Sequence, residues 1–219
     1  MKEKIKNISK LQLSLTVLFV SALLISNVIT ARQVLLPFGI TMTGAVFIFP
    51  ITYVLSDLFS EVYGYKWSRF TCYLGFLMNL FAVIAFTLVL KAPAPDYFTQ
   101  HEAFNVVLGN TPRILFASLL SFLVGDYVND RVFKVFKDKH PEDHRGFSFR
   151  AILSSICGEI TDSAIFLPIA FLGTMPAMTL LVMSITQVSI KIAYELLILP
   201  VTRIIVKKVS AHETQSVEA

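Results

Sequence analysis

Six apolar runs of roughly membrane-crossing length recur along the chain, at 11–31, 42–62, 70–90, 113–133, 149–172 and 177–205. A spanning helix needs about 20 predominantly apolar residues. In hydrocarbon, only helices and closed barrels satisfy every backbone donor and acceptor. The pattern predicts an all-α polytopic membrane protein with six transmembrane helices, forming one domain over 1–208. Composition supports this: 16% of residues are charged, whereas soluble domains carry about a quarter. The first run follows Lys2, Lys4, Lys6 and Lys10 as a signal peptide would. It reaches spanning length, and no small-residue cleavage site closes it, so it reads as a helix.

Orientation follows from the basic residues, because cytoplasmic loops carry the excess of Lys and Arg. With the N-terminus inside, 15 of the 19 fall on the cytoplasmic side, and both termini are expected there. The net charge of +4 arises from these short groups, not from a basic face, so no nucleic-acid partner is expected. Pro93, Pro95 and Pro112 bracket a longer polar loop, and only Gly173 to Pro176 join the last two helices as a hairpin. The tail over 209–219 is polar and reads as disordered.

Cys72 and Cys157 lie inside apolar runs without a CxxC or Cys/His spacing, and the four histidines fall in loops or tail. No metal site and no cofactor are expected. Sequence signatures of metalloproteases, serine hydrolases and P-loop enzymes are missing, so no enzyme is expected either.

The informative residues are charges where apolar side chains belong. An ionisable group at the centre of a spanning helix costs at least about 2.5 kcal/mol, and so calls for a partner, a water-filled cavity or a function. The second run carries Asp57 and Glu61, the fourth Asp126 and Asp130, the fifth Glu159 and Asp162, and the sixth Gln187, Lys191 and Glu195. Spacings of three or four place each set on one helix face. Seven of these acids face one base, Lys191, so ion pairing alone does not neutralise them.

Protons, cations or a donor-rich ligand would complete the balance. Asp126 and Asp130 sit near a boundary where they could simply reach water. For Asp57 and Glu61, the neighbouring Tyr53 and Tyr63 could line a cavity with them. A structural Asp162–Lys191 bridge could coexist with ligand contacts from Glu159 and Gln187. Asn27, in the first helix, could serve either an interhelical hydrogen bond or a ligand.

Three stretches resemble the queuosine precursor transporter family, also called the VUT family of integral membrane proteins. They are TGAVFIFPITYVLSDLFSEVYGYKWSR from Thr43 to Arg69, SSICGEITDSAIFLPIAFLG from Ser154 to Gly173, and QVSIKIAYELLILP, which contains Lys191, Glu195 and Pro200. The resemblance spans nearly the whole chain. It implies import of 7-cyano-7-deazaguanine, 7-aminomethyl-7-deazaguanine or queuine across the inner cell membrane, salvaged for tRNA modification.

A guanine-like edge presents N–H donors that a carboxylate such as Glu159 or Asp57 accepts two at a time. Gln187 or Asn27 would meet the ring carbonyl, and Tyr53 would stack on the base. The expected partners are the bilayer and this small molecule, and a carrier of this size is compatible with homodimerisation. A reading from a different class is the substrate-binding membrane subunit of a larger ATP-driven uptake complex, which would bind cargo but not move it alone.

Overall fold

A computed structural model describes residues 8–139 and 146–218. The side chains of Asp130 and Glu195, both singled out above, lie outside the described set.

Helix α1 (Lys10–Ile29) starts at Ser9, whose hydroxyl accepts from the Gln12 N–H at 2.9 Å and so satisfies one of the orphan donors of the first turn. Two short antiparallel strands follow, β1 (Gln33–Leu36) and β2 (Ile40–Thr43), joined by a 3-10 turn over Pro37–Gly39 and in register from Gln33 opposite Thr43 to Leu36 opposite Ile40. Then come a 3-10 turn (Gly44–Phe47), the ten-residue helix α2 (Phe49–Leu58) and a π turn (Phe59–Tyr63). The remaining helices are α3 (Tyr65–Lys91), α4 (His101–Leu108), α5 (Thr111–Lys139), α6 (Gly146–Phe171) and α7 (Ala177–Glu218).

Among the described residues, five helical segments are long and apolar enough to cross a membrane: Lys10–Ile29, Tyr65–Lys91, His101–Phe136, Leu153–Phe171 and Ala177–Tyr194. No more than 33% of any of their apolar windows is buried within the protein. Their outward faces carry large apolar side chains such as Leu77, Phe81 and Leu88 on α3, while Ser26, Asn27, Thr71 and Asn79 are buried. Apolar residues outside and polar ones inside is the arrangement expected where the solvent is lipid. The protein is an all-α polytopic membrane protein.

The run at 42–62 is not the single long helix that hydropathy suggests. It is broken into a strand residue pair, a 3-10 turn, α2 and the π turn. Pro50 stands in the first turn of α2, where its missing N–H costs nothing. Gly64 then ends the segment with φ +86°, a conformation that side-chain-bearing residues rarely adopt. The broken element nevertheless runs the full length of α1. At one end the Gly44 N–H donates to the Arg32 carbonyl at 2.7 Å. At the other, Tyr63 and Ser9 both donate to the Glu213 carboxylate, at 3.0 and 2.6 Å.

Those bonds also correct the reading of the tail. The segment from 209 onward continues α7 to Glu218, because Glu213 has hydroxyl partners on distant elements. The loop between α3 and α5 likewise contains the short helix α4.

Among the described residues, three apolar clusters organise the packing. One joins α5, α6 and α7 through Ile114, Leu167, Phe171 and Met183. A second joins α1 and α2 through Phe19, Leu23, Leu55, Leu58 and Phe59, with Ile205, Val206 and Val209 from beyond Pro200 on α7. The third links α3 to α5 through Phe76, Val83 and Leu115. Helices α5 and α6 approach closely at Gly125 and Gly158. A Cβ on Gly158 would lie 3.1 Å from both the Gly125 carbonyl oxygen and Asn129 Cβ, and one on Gly125 would lie 3.2 Å from Asp162 Cβ. This contact fixes the height at which α6 presents its acids.

Candidate functional site

The acids of α6 meet the base of α7 midway along the bundle. Lys191 Nζ lies 2.8 Å from Glu159 Oε2 and 2.7 Å from Asp162 Oδ2. Glu159 and Asp162 stand one turn apart on α6, which allows a single ammonium to serve both. From the facing wall, the Tyr53 hydroxyl donates to Glu159 Oε1 at 2.9 Å. Phe49, one turn before Tyr53, places its ring centroid 5.3 Å from Lys191 Nζ, within cation–π range. The lysine side chain is only 10% exposed, so this cluster operates largely out of water. It carries one carboxylate more than it has cations.

Beside the cluster lies a cavity of about 690 Å³, counted to its mouth and bounded by Asn27, Thr43, Phe49, Tyr53, Ser121, Asp162, Phe166, Gln187, Lys191 and Tyr194. Gln187 is 8% exposed, and its Oε1 has no hydrogen-bond partner among the described residues. A buried acceptor left open costs about 1–3 kcal/mol, so a donor from a guest would be favourable here. Aromatic rings supply flat walls, while the Lys191–Asp162 pair and Gln187 supply fixed polar points.

The residues singled out from sequence divide into two groups. Tyr53, Glu159, Asp162, Gln187, Lys191 and Asn27 come together at or beside this cavity. The Asp162–Lys191 bridge is present, and Glu159 forms a second limb of it. Asn27 also makes the interhelical bond: its Nδ2 donates to Asn79 Oδ1 at 2.8 Å, and Asn79 in turn donates to the Gly75 carbonyl at 2.9 Å. Asp57 and Glu61, by contrast, are exposed and line neither this cavity nor its neighbour described below. Asp126 borders not this cavity but the neighbouring one, where Arg69 Nη2 holds it at 2.6 Å. Phe49, Tyr53 and Asp57 follow one another at steps of four on one face of α2, so Asp57 is separated from the site by its place a turn further along the helix, and Glu61 falls in the π turn.

Sequence reasoning missed Asn79, Phe49, Thr43, Ser121 and Tyr194. Asn79 alone had a usable signal, as a lone amide inside the apolar run CYLGFLMNLFAV. The others are ordinary apolar or small residues whose role comes only from the cavity they border.

Residues 43–205 match the family described as "Putative vitamin uptake transporter". The chain belongs to this family. It is a membrane transporter, and the matched region contains the whole Tyr53–Glu159–Asp162–Lys191 cluster. A curated relative from Bacillus subtilis (strain 168), named "Probable queuosine precursor transporter", is 29% identical over 165 residues, covering 74% of this chain and 71% of the relative. No solved structure matches.

Proposed function

We propose that this transporter imports a queuosine precursor, 7-cyano-7-deazaguanine, 7-aminomethyl-7-deazaguanine or queuine, across the inner cell membrane as a stand-alone carrier. The observation that carries the reading is the cavity beside the Lys191–Asp162–Glu159 cluster, with an open buried acceptor on Gln187 and aromatic walls. A deazaguanine is planar, bears N–H donors along one edge and has one ring carbonyl. Asp162 is the cluster's carboxylate on this cavity, and it receives the donor edge. The Gln187 amide meets a further donor or the carbonyl, since its two ends differ only in which way the amide is turned. Tyr53 and Phe166 hold the ring faces. The name of the Bacillus relative supports the same cargo.

The broken element around α2 serves as the second of six crossings in this reading. Its helical part, from Gly44 to Tyr63, is about 30 Å long at 1.5–2 Å per residue, the thickness of the hydrocarbon core. Six crossings put both termini on one side, and the basic residues put that side in the cytoplasm.

The test is uptake of labelled precursors into proteoliposomes containing only this chain, with and without a proton gradient and with a parallel binding assay. Transport of a deazaguanine by the chain alone is expected. Asp162→Asn and Gln187→Leu should each lower it about 10- to 100-fold, corresponding to one or two lost charge-assisted or buried hydrogen bonds. Binding without transport would instead favour a capture subunit of an ATP-driven complex, and neither binding nor transport would refute the cargo.

A further inference from the structure

A second cavity, of about 910 Å³, lies along the bundle axis from the first. The first is bounded by Thr30 near the end of α1 and by Phe166 on α6; the second reaches Phe19 on α1 and Ser155 on α6. From Phe166 to Ser155 is about 16 Å of helix. Four residues, Phe49, Tyr53, Ser118 and Asp162, border both cavities. At that shared level stands the bridge in which Tyr53 donates to Glu159 and Lys191 joins Glu159 to Asp162.

We propose that the second cavity is a second binding station for the same planar, donor-bearing cargo, and that the Tyr53–Glu159–Lys191 bridge is the partition it displaces in passing. The proposal rests on the transport reading above. The second cavity repeats the chemistry of the first: rings of Phe76 and Phe122, the Glu159 carboxylate, the Asn129 amide and the Asp126 carboxylate, of which Oδ2 already holds Arg69. Glu159 borders only this cavity, whereas Gln187 and Lys191 border only the other. Each station thus has its own polar anchor, and Asp162 is common to both.

The bridge is suited to be displaced. A cargo N–H replaces the Tyr53 hydroxyl on Glu159 one for one, so the carboxylate is never left bare in a site where an unsatisfied group is costly. Tyr53 belongs to the element packed on α1, and Glu159 to the helix packed on α5. Exchanging this bond therefore changes a polar contact between two packed units without opening an apolar one; the units stay joined through the α3–α5 cluster and through α7.

Single cysteines test this in a Cys72→Ser/Cys157→Ser background whose own uptake is measured first, because Cys72 borders the second cavity. Val46→Cys reports on the first cavity and Ser56→Cys on the second; both positions are partly accessible and lie on the same broken element. The full chain in right-side-out and inside-out vesicles is treated with a membrane-impermeant trimethylammonium methanethiosulfonate, with and without 7-aminomethyl-7-deazaguanine.

From outside, Val46→Cys should react at least about tenfold faster than Ser56→Cys, with the ranking inverted from inside, and saturating base should slow both. Equal rates at Ser56→Cys from both faces, or no reaction there from either, would overturn the partition or the station. Protection at Val46→Cys alone would overturn the second station and leave the cargo reading intact. Protection at neither site by any deazaguanine, with sidedness preserved, would refute the cargo reading and the station with it.

Discussion

Replacing Lys191 by Met removes the cation that bridges Glu159 and Asp162 while keeping the length and apolar stem of the side chain. Before the change, Nζ lies 2.8 and 2.7 Å from carboxylates that are 18% and 25% exposed. Afterwards two like charges face each other one turn apart on α6 with no counter-charge in a poorly solvated site. Breaking a buried pair in this way costs about 3–5 kcal/mol, because the remaining charge has already lost its water. For a chain of this size each kcal/mol moves Tm by about 2–4 °C, so a loss of about 6–20 °C is expected.

Thermal unfolding followed by intrinsic fluorescence in detergent measures it. The decisive comparison is the triple variant Lys191→Met/Glu159→Gln/Asp162→Asn, in which no charge remains to be stranded. Replacing a whole buried ionic group by neutral residues is commonly near-neutral, so the triple should recover most of the loss although it carries more changes. The reasoning fails if the single variant melts within about 2 °C of wild type, or if the triple is no more stable than the single.

Other changes probe the frame around the site. Asn79→Leu strands the Asn27 amide in a buried position and should cost about 1–3 kcal/mol, whereas Asn27→Leu/Asn79→Leu should cost less than the single change, as read by Tm. Gly158→Ala drives a methyl against the Gly125 carbonyl and Asn129, spreading α5 from α6; it should cost about 1–3 kcal/mol and, by shifting Glu159, lower uptake as well. Pro200→Ala restores the N–H that the Leu196 carbonyl lacks in α7, so Tm should hold or rise while proteoliposome uptake falls severalfold.

Much of the frame is legible in the chain. Long apolar runs become long helices because lipid leaves the backbone no other partners. The spacing of three between Glu159 and Asp162, and of four between Gln187 and Lys191, delivers those residues to one place for the reason the sequence suggests: each pair shares a helix face. Hydropathy averaging hides the breaks. The run at 42–62 is apolar enough for a helix, and nothing in that average distinguishes a straight span from strand, 3-10 turn, short helix and π turn in succession. Asp57 and Glu61 share the helical spacing of the other acids, yet spacing does not say how far along the helix the site lies. Phe49 and Tyr53 reach it, whereas Asp57 comes a turn later on the same face and Glu61 falls in the π turn, so both acids end up exposed. The helical tail was illegible for another reason, since Glu213 is held by Ser9 and Tyr63, partners far away in the chain.

The distribution of apolar and polar contacts also suggests where such a molecule yields. Ile114, Leu167 and Met183 close one unit from α5, α6 and the first half of α7; Phe19, Leu58 and Phe59 close another from α1 and α2, joined by α7 residues beyond Pro200. Separating either apolar cluster would open a cavity, with a cost that grows with its volume. The Phe76, Val83 and Leu115 cluster joins the units through α3 and α5, but at the site they face each other across the Tyr53–Glu159 hydrogen bond and two voids, and a hydrogen bond can change partners at little net cost if a donor replaces the one withdrawn. Proline 200 sits where α7 passes from the first unit to the second, and a helix bends most readily where a proline has removed a rung. A chain that must let a polar molecule through gains from this division: rigid where it is greasy, exchangeable where it is charged, with Lys191 at the junction.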